Sequence, residues 1–445
     1  MILFLKEHVI GDLKSPNNKS QVTPERRLAI IVGVIVTGED SNIIHEDLIE
    51  LTALLTTLGV EVAGQIVQKR VKLTPSCLIG TGKVHEIGLL AKEKGATLVV
   101  VDRQLSPPQV RNIEEITKCQ VLDRAGVILD IFAKHARTNA AKTQVEIARL
   151  EHMLPRMVGQ WTHLHRQKAG VMGGEGEKQI ELDRRKARDR IARLKAQLET
   201  LDKERATQRK ARRSEIKVAL VGYTNSGKTT IMNAMTNGDF VARDALFATL
   251  DANVRTIDPF TRPKILMSDT VGFIRNLPHG LIESFKSTLD EVKEADLLLQ
   301  VVDISHDNYK AQMETTSLVL KEIGAGQIPQ LIIFNKIDRV DDPFLAKMLR
   351  QAYPGSIAVS AYRPEDVSRL RDHIQDFFSR NFVALKLAVP SSDQEGISLI
   401  YRTCMILDAD YERHEIVVFS VRVPKASLPK VQPYEYSSSF ADTPK

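Results

Sequence analysis

The sequence has few cysteines, few aromatic residues and no long apolar segment. Its three cysteines, Cys77, Cys119 and Cys404, lie far apart, which argues against a disulfide framework or a zinc site and favours a reducing compartment. The longest strongly apolar run, Leu28 to Val36, is too short to cross a bilayer. The amino terminus shows neither the basic start nor the cleavage site of an export signal. We therefore expect a cytoplasmic protein with no membrane span.

Length and charge point to a multidomain protein with a concentrated basic surface. The 445 residues exceed what one hydrophobic core holds, and the 43% hydrophobic and 27% charged content is typical of soluble globular chains. The formal net charge is +6, but residues 184–213 alone contain thirteen basic residues against four acidic ones. Such a concentration predicts a polyanionic partner, with a solvated helix face as the alternative.

The sequence KVALVGYTNSGKTT, from Lys217 to Thr230, is the feature around which the chain is organised. A short apolar run precedes the pattern Gly222-x-x-x-x-Gly227-Lys228-Thr229, and a segment that can form a helix follows it. This order is typical of a P-loop, in which backbone N–H groups and a helix N-terminus bind a β-phosphate. Lys228 is expected to reach the β- and γ-phosphates, and the Thr229 hydroxyl to bind Mg²⁺. A glycine turn in an ordinary α/β domain is the alternative.

Two later motifs would complete a guanine-nucleotide site. The sequence DTVG, from Asp269 to Gly272, follows a predicted strand. Asp269 can hold Mg²⁺ through water, and the Gly272 N–H can bind a γ-phosphate and release it on hydrolysis. The sequence NKID, from Asn335 to Asp338, follows another predicted strand. The Asp338 carboxylate can accept hydrogen bonds from N1–H and the exocyclic amine of guanine, a donor pair that adenine lacks, so we expect GTP rather than ATP.

Two shorter sequence patterns, each weak by itself, occur at positions in the chain that suit a guanine-nucleotide site. The backbone of Ser360-Ala361 can contact guanine O6. Thr249, between the P-loop and the DTVG sequence, can ligate Mg²⁺ when a γ-phosphate is present, although other hydroxyls such as Thr256 compete for that role.

The residues predicted to carry the chemistry fall into three groups. The predicted catalytic residues are Lys228, Thr249 and Gly272. The predicted Mg²⁺ ligands are Thr229, Thr249 and Asp269. The residues predicted to bind GTP or GDP are Gly222, Tyr223, Thr224, Asn225, Ser226, Gly227, Lys228, Thr229, Thr230, Phe247, Ala248, Thr249, Leu250, Asp269, Thr270, Val271, Gly272, Asn335, Lys336, Asp338, Ser360 and Ala361.

The predicted fold class is α/β, arranged in several domains. Residues from about 28 to 135 alternate strand-like and helix-like segments, which indicates a largely parallel sheet. A helical pattern ends near Pro155 and heptads resume at Gln179, which predicts an antiparallel helical hairpin with a glycine-rich, basic tip. A P-loop domain with a mainly parallel sheet, a small α/β or α+β domain and a disordered tail are expected to follow. The predicted boundaries are 1–136 for the N-terminal domain, 137–213 for the hairpin, 214–381 for the P-loop domain, 382–433 for the C-terminal domain and 434–445 for the tail.

Two local patterns favour ordinary structure over a second site. The sequence GTGK, from Gly80 to Lys83, resembles part of a phosphate loop, but its glycines are too close together, so a turn before a helix is the better interpretation. His163 and His165 indicate a metal site only weakly, because no cysteine or third ligand lies near them in the sequence.

The order of the motifs resembles that of the translation-factor-related GTPases, and longer sequences narrow the resemblance to one family. These are LIGTGKVHEI, VLDRAGVILDIFAKHARTNAAKTQVEIARL, QWTHLHRQKAG, LFATLDANVRTI, DTVGFIRNLPHGL and NKID. Together they are similar to the HflX family of ribosome-associated GTPases. The resemblance implies an HflX-type N-terminal domain, a helical linker, a GTPase domain and a small C-terminal domain. It also implies binding to the large (50S) ribosomal subunit and its rRNA, and dissociation of stalled or idle ribosomes under stress.

The sequence departs from the family pattern in two places. The hairpin loop is one residue longer than the family form, and around Gly173 to Glu177 it carries Glu175 where that form has proline. We expect this loop to be less stiff and more acidic. The sequence LDAN replaces the more usual LDPT directly after Thr249, which leaves that threonine in place.

Phe273 follows the DTVG sequence, at a point where many GTPases carry a glutamine that orients the attacking water. A phenyl ring cannot polarise water, so the free protein is expected to hydrolyse GTP slowly, at roughly 10⁻⁴ to 10⁻² s⁻¹. Asn225 occupies the P-loop position at which related GTPases help to hold K⁺, which makes K⁺ a candidate second ion. Equal hydrolysis rates in matched K⁺ and Na⁺ buffers would exclude it.

The predicted function is a GTPase switch acting as a monomer in the cytoplasm, partly ribosome- or membrane-associated. Its GTP form would split 70S ribosomes, and the ribosome would stimulate hydrolysis. Two alternatives stay open: a GTPase of ribosome assembly or RNA modification, and a non-catalytic RNA-binding module that nucleotide merely stabilises. Lys228 and Thr229 argue against the second, because a purely structural site does not need Mg²⁺ chemistry.

Overall fold

The computed structural model describes most of the chain between its two ends. Within the described ranges, every helix is too short or too polar to span a membrane. The described residues are 27–158, 175–211, 215–236, 246–250, 253–257, 264–275, 286–342, 344–380, 382–411, 415–424 and 427–436.

The N-terminal domain is a four-stranded parallel sheet between two layers of helices. Its elements are β1 (Arg27–Val36), α1 (Ser41–Leu58), β2 (Val60–Arg70), α2 (Thr81–Lys94), β3 (Leu98–Val101), α3 (Pro107–Thr117), β4 (Gln120–Asp123) and α4 (Arg124–His135). The strand order is β2-β1-β3-β4. Alternate residues of β1 point to opposite faces of the sheet. Ile31 packs against α1 and α4 on one face, and Ile30 packs against α2 and α3 on the other. Both faces are therefore buried, which explains the continuous apolar run of β1.

Two helices follow and connect the N-terminal domain to the P-loop. They are α5 (Asn139–Met153), continued by a short 3₁₀ helix (Leu154–Val158), and α6 (Glu175–Ala211). Ile147 of α5 packs against Ile191 and Leu194 of α6. Ion pairs flank this apolar contact, at 2.9 Å between Glu146 and Arg190 and at 2.8 Å between Glu151 and Lys195. With 37 residues, α6 is about 55 Å long.

The described strands of the P-loop domain form a six-stranded sheet, and among them only β6 is antiparallel to its neighbour. Its elements are β5 (Ile216–Gly222), α7 (Lys228–Thr236), β6 (Asn253–Thr256), β7 (Ile265–Asp269), α8 (Lys286–Lys293), β8 (Leu297–Asp303), α9 (Tyr309–Glu322), β9 (Gln330–Asn335), a 3₁₀ helix (Ile337–Arg339), α10 (Leu345–Ala352), β10 (Ile357–Ala358) and α11 (Pro364–Ser379). The strand order is β10-β9-β8-β5-β7-β6. The carboxyl ends of β5, β7 and β9 therefore meet at one edge of the sheet, where ligands bind in open α/β folds.

The C-terminal domain is a three-stranded antiparallel sheet in the order β11-β13-β12 of its own strands. Its elements are β11 (Phe382–Pro390), α12 (Gln394–Thr403), β12 (Met405–Asp410), β13 (Ile416–Pro424), α13 (Leu428–Val431) and a 3₁₀ helix (Gln432–Tyr434). One face of this sheet packs around Phe419 and against α12, which forms a separate small core.

The predicted α/β fold with a mostly parallel sheet is confirmed, and two predicted boundaries differ from the structure. Helix α6 begins at Glu175 rather than Gln179, since only Gly176 in this stretch disfavours a helix. Tyr434, predicted as the first residue of the tail, is held by the C-terminal domain, because its hydroxyl donates to Asp393 at 3.0 Å and the next residue pairs with β11. Two predicted features, the His163/His165 pair and the start of the altered loop at Gly173, lie outside the described residues.

Candidate nucleotide site

The P-loop joins β5 to α7, and two of its glycines have no room for a side chain. Gly222 has φ 148°, and a Cβ there would lie 2.3 Å from the Val301 carbonyl oxygen. Gly227 has φ 94°, and a Cβ there would lie 2.2 Å from the Asn335 amide nitrogen. Positive φ and close neighbours together require glycine at both positions. The loop that the spacing predicted is therefore built here, with Asn225 also in a left-handed conformation at φ 60°.

The Lys228 side chain lies buried inside the loop. Its ammonium donates hydrogen bonds to the carbonyl oxygens of Gly222 at 3.1 Å and Tyr223 at 2.8 Å. Burial lowers the pKa of this ammonium to about 8, and the nearby Asp269 carboxylate opposes that shift. A buried cation with incomplete charge compensation attracts anions strongly, which is what binding of the β- and γ-phosphates requires.

The three predicted Mg²⁺ ligands converge on one point. The hydroxyls of Thr229 and Thr249 donate to Asp269 Oδ2 at 2.7 and 3.0 Å, and they lie 2.8 Å from each other. The second carboxylate oxygen, Asp269 Oδ1, is buried and makes no hydrogen bond to any described residue. The competing hydroxyl of Thr256 is in β6 opposite Leu266, three residues along β7 from Asp269. Hard oxygen donors around an unpaired carboxylate oxygen suit Mg²⁺, so these residues fit the metal.

Other buried polar atoms around the loop have no hydrogen-bond partner among the described residues. Thr224 Oγ1, Ser226 Oγ and Asn335 Oδ1 make no hydrogen bond within the described part of the chain. Buried polar atoms are costly to leave unpaired, and a bound polar ligand would supply partners. Thr230 and Ala248 are half-buried, each next in the chain to a predicted Mg²⁺ ligand.

The NKID sequence follows β9 and is tied to the P-loop. The Asn335 amide donates to the Ser226 carbonyl oxygen at 2.9 Å, and the Lys336 ammonium donates to the Asn225 carbonyl oxygen at 2.8 Å. These bonds position the following 3₁₀ helix, in which Asp338 is exposed. The Asp338 carboxylate is therefore accessible to a base above the P-loop.

The Ser360-Ala361 prediction needs a correction. The Ser360 N–H donates to a carboxylate oxygen of Asp366 at 2.9 Å, so this donor is already used inside the protein. Asp366 lies in the first turn of α11, and its bond holds the loop against that helix. The Ala361 N–H stays the predicted donor to guanine O6.

Several residues predicted to bind nucleotide use their side chains elsewhere. Four of these side chains are buried in a core shared with the N-terminal domain, namely those of Tyr223, Phe247, Leu250 and Val271. The Phe247 ring packs edge-on against Phe132 of α4, with centroids 4.7 Å apart. The Thr270 hydroxyl donates to the Leu220 carbonyl oxygen at 2.6 Å. Because these side chains are committed to packing, only the backbone at these positions can contact a nucleotide.

Some residues around the site were not predicted. Asp303, at the carboxyl end of β8, pairs with Lys336 at 2.6 Å, and its position at the sheet edge was a usable signal. Glu50, in α1, accepts a hydrogen bond from the Tyr223 hydroxyl at 2.5 Å. No local pattern marked Glu50, because its partner is distant in the sequence.

Comparison with known proteins decides the family. Residues 45–133 match a family model described as "GTP-binding GTPase N-terminal", residues 135–212 match "GTP-binding GTPase Middle Region", and residues 217–336 match "50S ribosome-binding GTPase". The GTPase HflX of Gluconacetobacter diazotrophicus is 40% identical over 454 residues, which cover 93% of this chain and 98% of that relative. The chain belongs to the GTPase HflX family. As a member of this family it binds GTP and hydrolyses it.

Two further curated relatives agree with membership of the HflX family. The GTPase HflX of Escherichia coli is 39% identical over 401 residues, which cover 87% of this chain and 94% of that relative. The GTPase HflX of Flavobacterium psychrophilum is 49% identical over 310 residues, or 69% of this chain and 75% of the relative. The chain is also similar to a crystal structure of a GTP-binding protein from the hyperthermophilic archaeon Sulfolobus solfataricus in complex with GDP, with 26% identity, a TM-score of 0.41, and coverage of 79% and 98% of the two chains.

The Lys228 pKa predicts how nucleotide binding to this HflX-family GTPase depends on pH. In the free protein, burial lowers the pKa to about 8, whereas bound phosphates favour the charged ammonium and raise it. Below pH 8 the ammonium is already charged; above it, binding must take up a proton. We expect GDP affinity to fall about sixfold between about pH 7.0 and 8.8, with uptake of nearly one proton at the higher pH. Titration calorimetry in two buffers of different ionisation enthalpy measures that uptake, and heats independent of the buffer would contradict the assignment.

Proposed function

We propose that this HflX-family GTPase, a cytoplasmic monomer, binds the large (50S) ribosomal subunit and its rRNA in its GTP form and dissociates stalled or idle 70S ribosomes under stress. Ribosome contact would stimulate hydrolysis, and the GDP form would leave. The description of the matching family model, "50S ribosome-binding GTPase", supports the choice of partner. Ribosomal RNA is also the kind of polyanion that a concentrated basic surface attracts.

The exposed basic face of α6 is the observation that carries the proposal. Arg185, Lys186, Arg188 and Arg193 are all exposed on this helix. Within the described residues, Arg185 and Arg193 form no ion pair, so their guanidinium groups can bind phosphates without losing a protein partner. The helix ends at Ala211 and the P-loop strand begins at residue 216, so the charged face is directly connected to the nucleotide site.

The chain's own residues would hold the nucleotide as follows. Lys228 would bind the β- and γ-phosphates, the Gly272 N–H would bind the γ-phosphate, and Thr229, Thr249 and Asp269 would hold Mg²⁺. Bound Mg²⁺ neutralises phosphate charge during phosphoryl transfer. Phe273 is buried and offers no group to orient water, which supports a requirement for ribosomal assistance.

Sedimentation of purified 70S ribosomes tests the proposal. The protein is added with GTP, GDP or a non-hydrolysable GTP analogue, and the gradient is scored for bound protein and for free subunits. We expect 50S binding and 70S splitting with the analogue and GTP but not with GDP. Binding that ignores the nucleotide would contradict the switch, whereas binding without splitting would favour a role in ribosome assembly.

Neutralising the α6 face should weaken ribosome binding and flatten its dependence on salt. Each phosphate contact contributes about 0.7 to 0.9 to the slope of log affinity against log salt, so Arg185→Gln, Arg188→Gln and Arg193→Gln together should lower that slope by about two. Binding to 50S subunits at several salt concentrations measures it. The matched control replaces three exposed lysines of the P-loop domain, Lys310, Lys321 and Lys347, by glutamine. Equal slopes for the two triple variants would show that α6 is only a solvated surface.

A further inference from the structure

The N-terminal domain is packed against the two loops that carry Thr249 and Gly272. A single apolar core contains residues of α1 and α4 together with Phe247, Leu250, Val271 and Ile274. His135 Nδ1 lies 2.7 Å from the Phe247 carbonyl oxygen, two residues before Thr249. Both loops that are predicted to respond to a γ-phosphate therefore share a core with a domain that has no predicted contact with the nucleotide.

A chain of buried polar contacts also crosses this interface. Asp102, at the end of β3, pairs with Arg124 at 2.8 Å, and Arg124 also pairs with Glu50 of α1. Glu50 accepts a hydrogen bond from the hydroxyl of Tyr223 in the P-loop at 2.5 Å. The same hydroxyl oxygen accepts a hydrogen bond from the backbone N–H of Arg275 at 2.9 Å. The chain thus connects the N-terminal sheet to residues 272–275, which we name the switch segment.

The Arg275 side chain adds a second connection to α1. Its guanidinium lies 3.4 Å from a carboxylate oxygen of Asp47 and 3.6 Å from one of Glu46. Asp47 is buried, whereas Glu46 and Arg275 are half-buried, so these ion pairs are partly shielded from water. The end of the switch segment is therefore held by α1 through both its backbone and its side chain.

The start of the switch segment is held against the P-loop. Phe273 N–H donates to the Gly222 carbonyl oxygen at 3.0 Å, and the Thr224 N–H donates to the Phe273 carbonyl oxygen at 2.7 Å. A Cβ on Gly272 would lie 2.8 Å from Thr224 Cα and 3.0 Å from Lys228 Nζ. Even a methyl group on Gly272 would collide with Thr224, so the switch segment lies directly against the P-loop and leaves little space between Gly272 and Lys228 for a γ-phosphate.

We propose that Glu50 is a positioning residue for the GTPase site, holding the switch segment against the P-loop through the Tyr223 hydroxyl. GTP binding must loosen that contact, whereas GDP, which has no γ-phosphate, leaves it in place. The N-terminal domain therefore favours the GDP form, and by thermodynamic linkage its contact with the P-loop domain reports which nucleotide is bound.

Removing the Tyr223 hydroxyl tests the proposal. In Tyr223→Phe, the Arg275 N–H loses its acceptor and Glu50 loses its donor, so the switch segment is easier to displace. We expect affinity for a non-hydrolysable GTP analogue to rise about fivefold to tenfold relative to GDP affinity. Glu50→Ala should change the ratio in the same direction. Fluorescent derivatives of both nucleotides give the two affinities on the full chain.

Combining the variants separates positioning from general destabilisation. If both substitutions break the same contact, the affinity ratio of Tyr223→Phe with Glu50→Ala should equal that of the stronger single variant, not the product of the two. Glu114→Gln is the matched control, because it alters a half-buried carboxyl that accepts a hydrogen bond from the Val121 N–H, entirely within the N-terminal domain. Glu114→Gln should leave the ratio of GTP-analogue affinity to GDP affinity within twofold of that of the unsubstituted protein, because Glu114 makes no contact with Tyr223 or Glu50.

The outcome does not depend on ribosome binding, since only the isolated protein and nucleotides are used. An unchanged affinity ratio in both Tyr223→Phe and Glu50→Ala, with thermal unfolding showing folded proteins, would overturn the proposal. An equal change in Glu114→Gln would also overturn it, because the effect would then follow from loosening the N-terminal domain as a whole.

Discussion

Lys228→Ala should lower the affinity for both GTP and GDP by about a hundredfold to a thousandfold. The Lys228 ammonium is buried in the P-loop, directed at the carbonyl oxygens of Gly222 and Tyr223 and close to Asp269. Removing one partner of a buried charge pair costs about 2 to 5 kcal/mol, and each 1.4 kcal/mol is a factor of about ten in affinity. Fluorescent nucleotide titration measures the loss directly.

The same substitution should have little effect on the stability of the free protein. Burial lowers the pKa of Lys228 to about 8, which shows that the folded state disfavours this charge when no nucleotide is bound. We expect the free energy of unfolding to change by less than about 1 kcal/mol. Lys321→Ala, at an exposed lysine of α9, is the control and should alter neither quantity. A folded Lys228→Ala protein that binds GTP normally would refute the P-loop assignment.

Asp338→Asn should reverse the preference between guanine and xanthine nucleotides. The Asp338 carboxylate can accept two hydrogen bonds from guanine, whereas the amide of asparagine can accept one from N1–H and donate one to the extra carbonyl of xanthine. Loss of a hydrogen bond that leaves a polar group unpaired discriminates strongly, so GTP affinity should fall about a hundredfold while XTP affinity rises. Competition of GTP and XTP for a fluorescent nucleotide gives both values.

The position of Asp338 allows base preference to be changed without disturbing the fold. Asp338 is exposed in the 3₁₀ helix after β9, while the neighbouring Asn335 and Lys336 hold the P-loop through their side chains. The substitution should therefore leave the fold intact, within about 0.5 kcal/mol of unfolding free energy. Asp341→Asn changes an exposed carboxylate three residues later and should not affect base preference. A variant that still prefers GTP would remove the basis for guanine selection.

Local patterns predicted the parts of the site that short stretches of chain build. Apolar runs before the P-loop, the DTVG sequence and the NKID sequence predicted β5, β7 and β9. Parallel strands place their carboxyl ends together, so the residues after them could be expected to meet. Thr229, Thr249 and Asp269 do lie within 3.0 Å of one another. The glycines were predictable for the same reason, since their spacing reflects backbone geometry within the loop itself.

Side-chain direction was less predictable where two domains meet. Phe247, Leu250 and Val271 are close in sequence to predicted ligands, yet their side chains pack against α1 and α4. An apolar residue beside a ligand can face the nucleotide or a neighbouring domain, and its own sequence does not distinguish the two. The use of the Ser360 N–H by Asp366 was likewise invisible, because it depends on where α11 begins.

The sequence by itself predicted a P-loop, a guanine-selecting motif and a set of oxygen ligands for Mg²⁺, because each prediction depends on backbone geometry and strand order over short distances. Only the tertiary structure decided that Glu50 meets Tyr223 and that α1 holds Arg275. Those contacts join residues more than 170 positions apart, and they exist because the N-terminal domain and the P-loop domain bury apolar surface against each other.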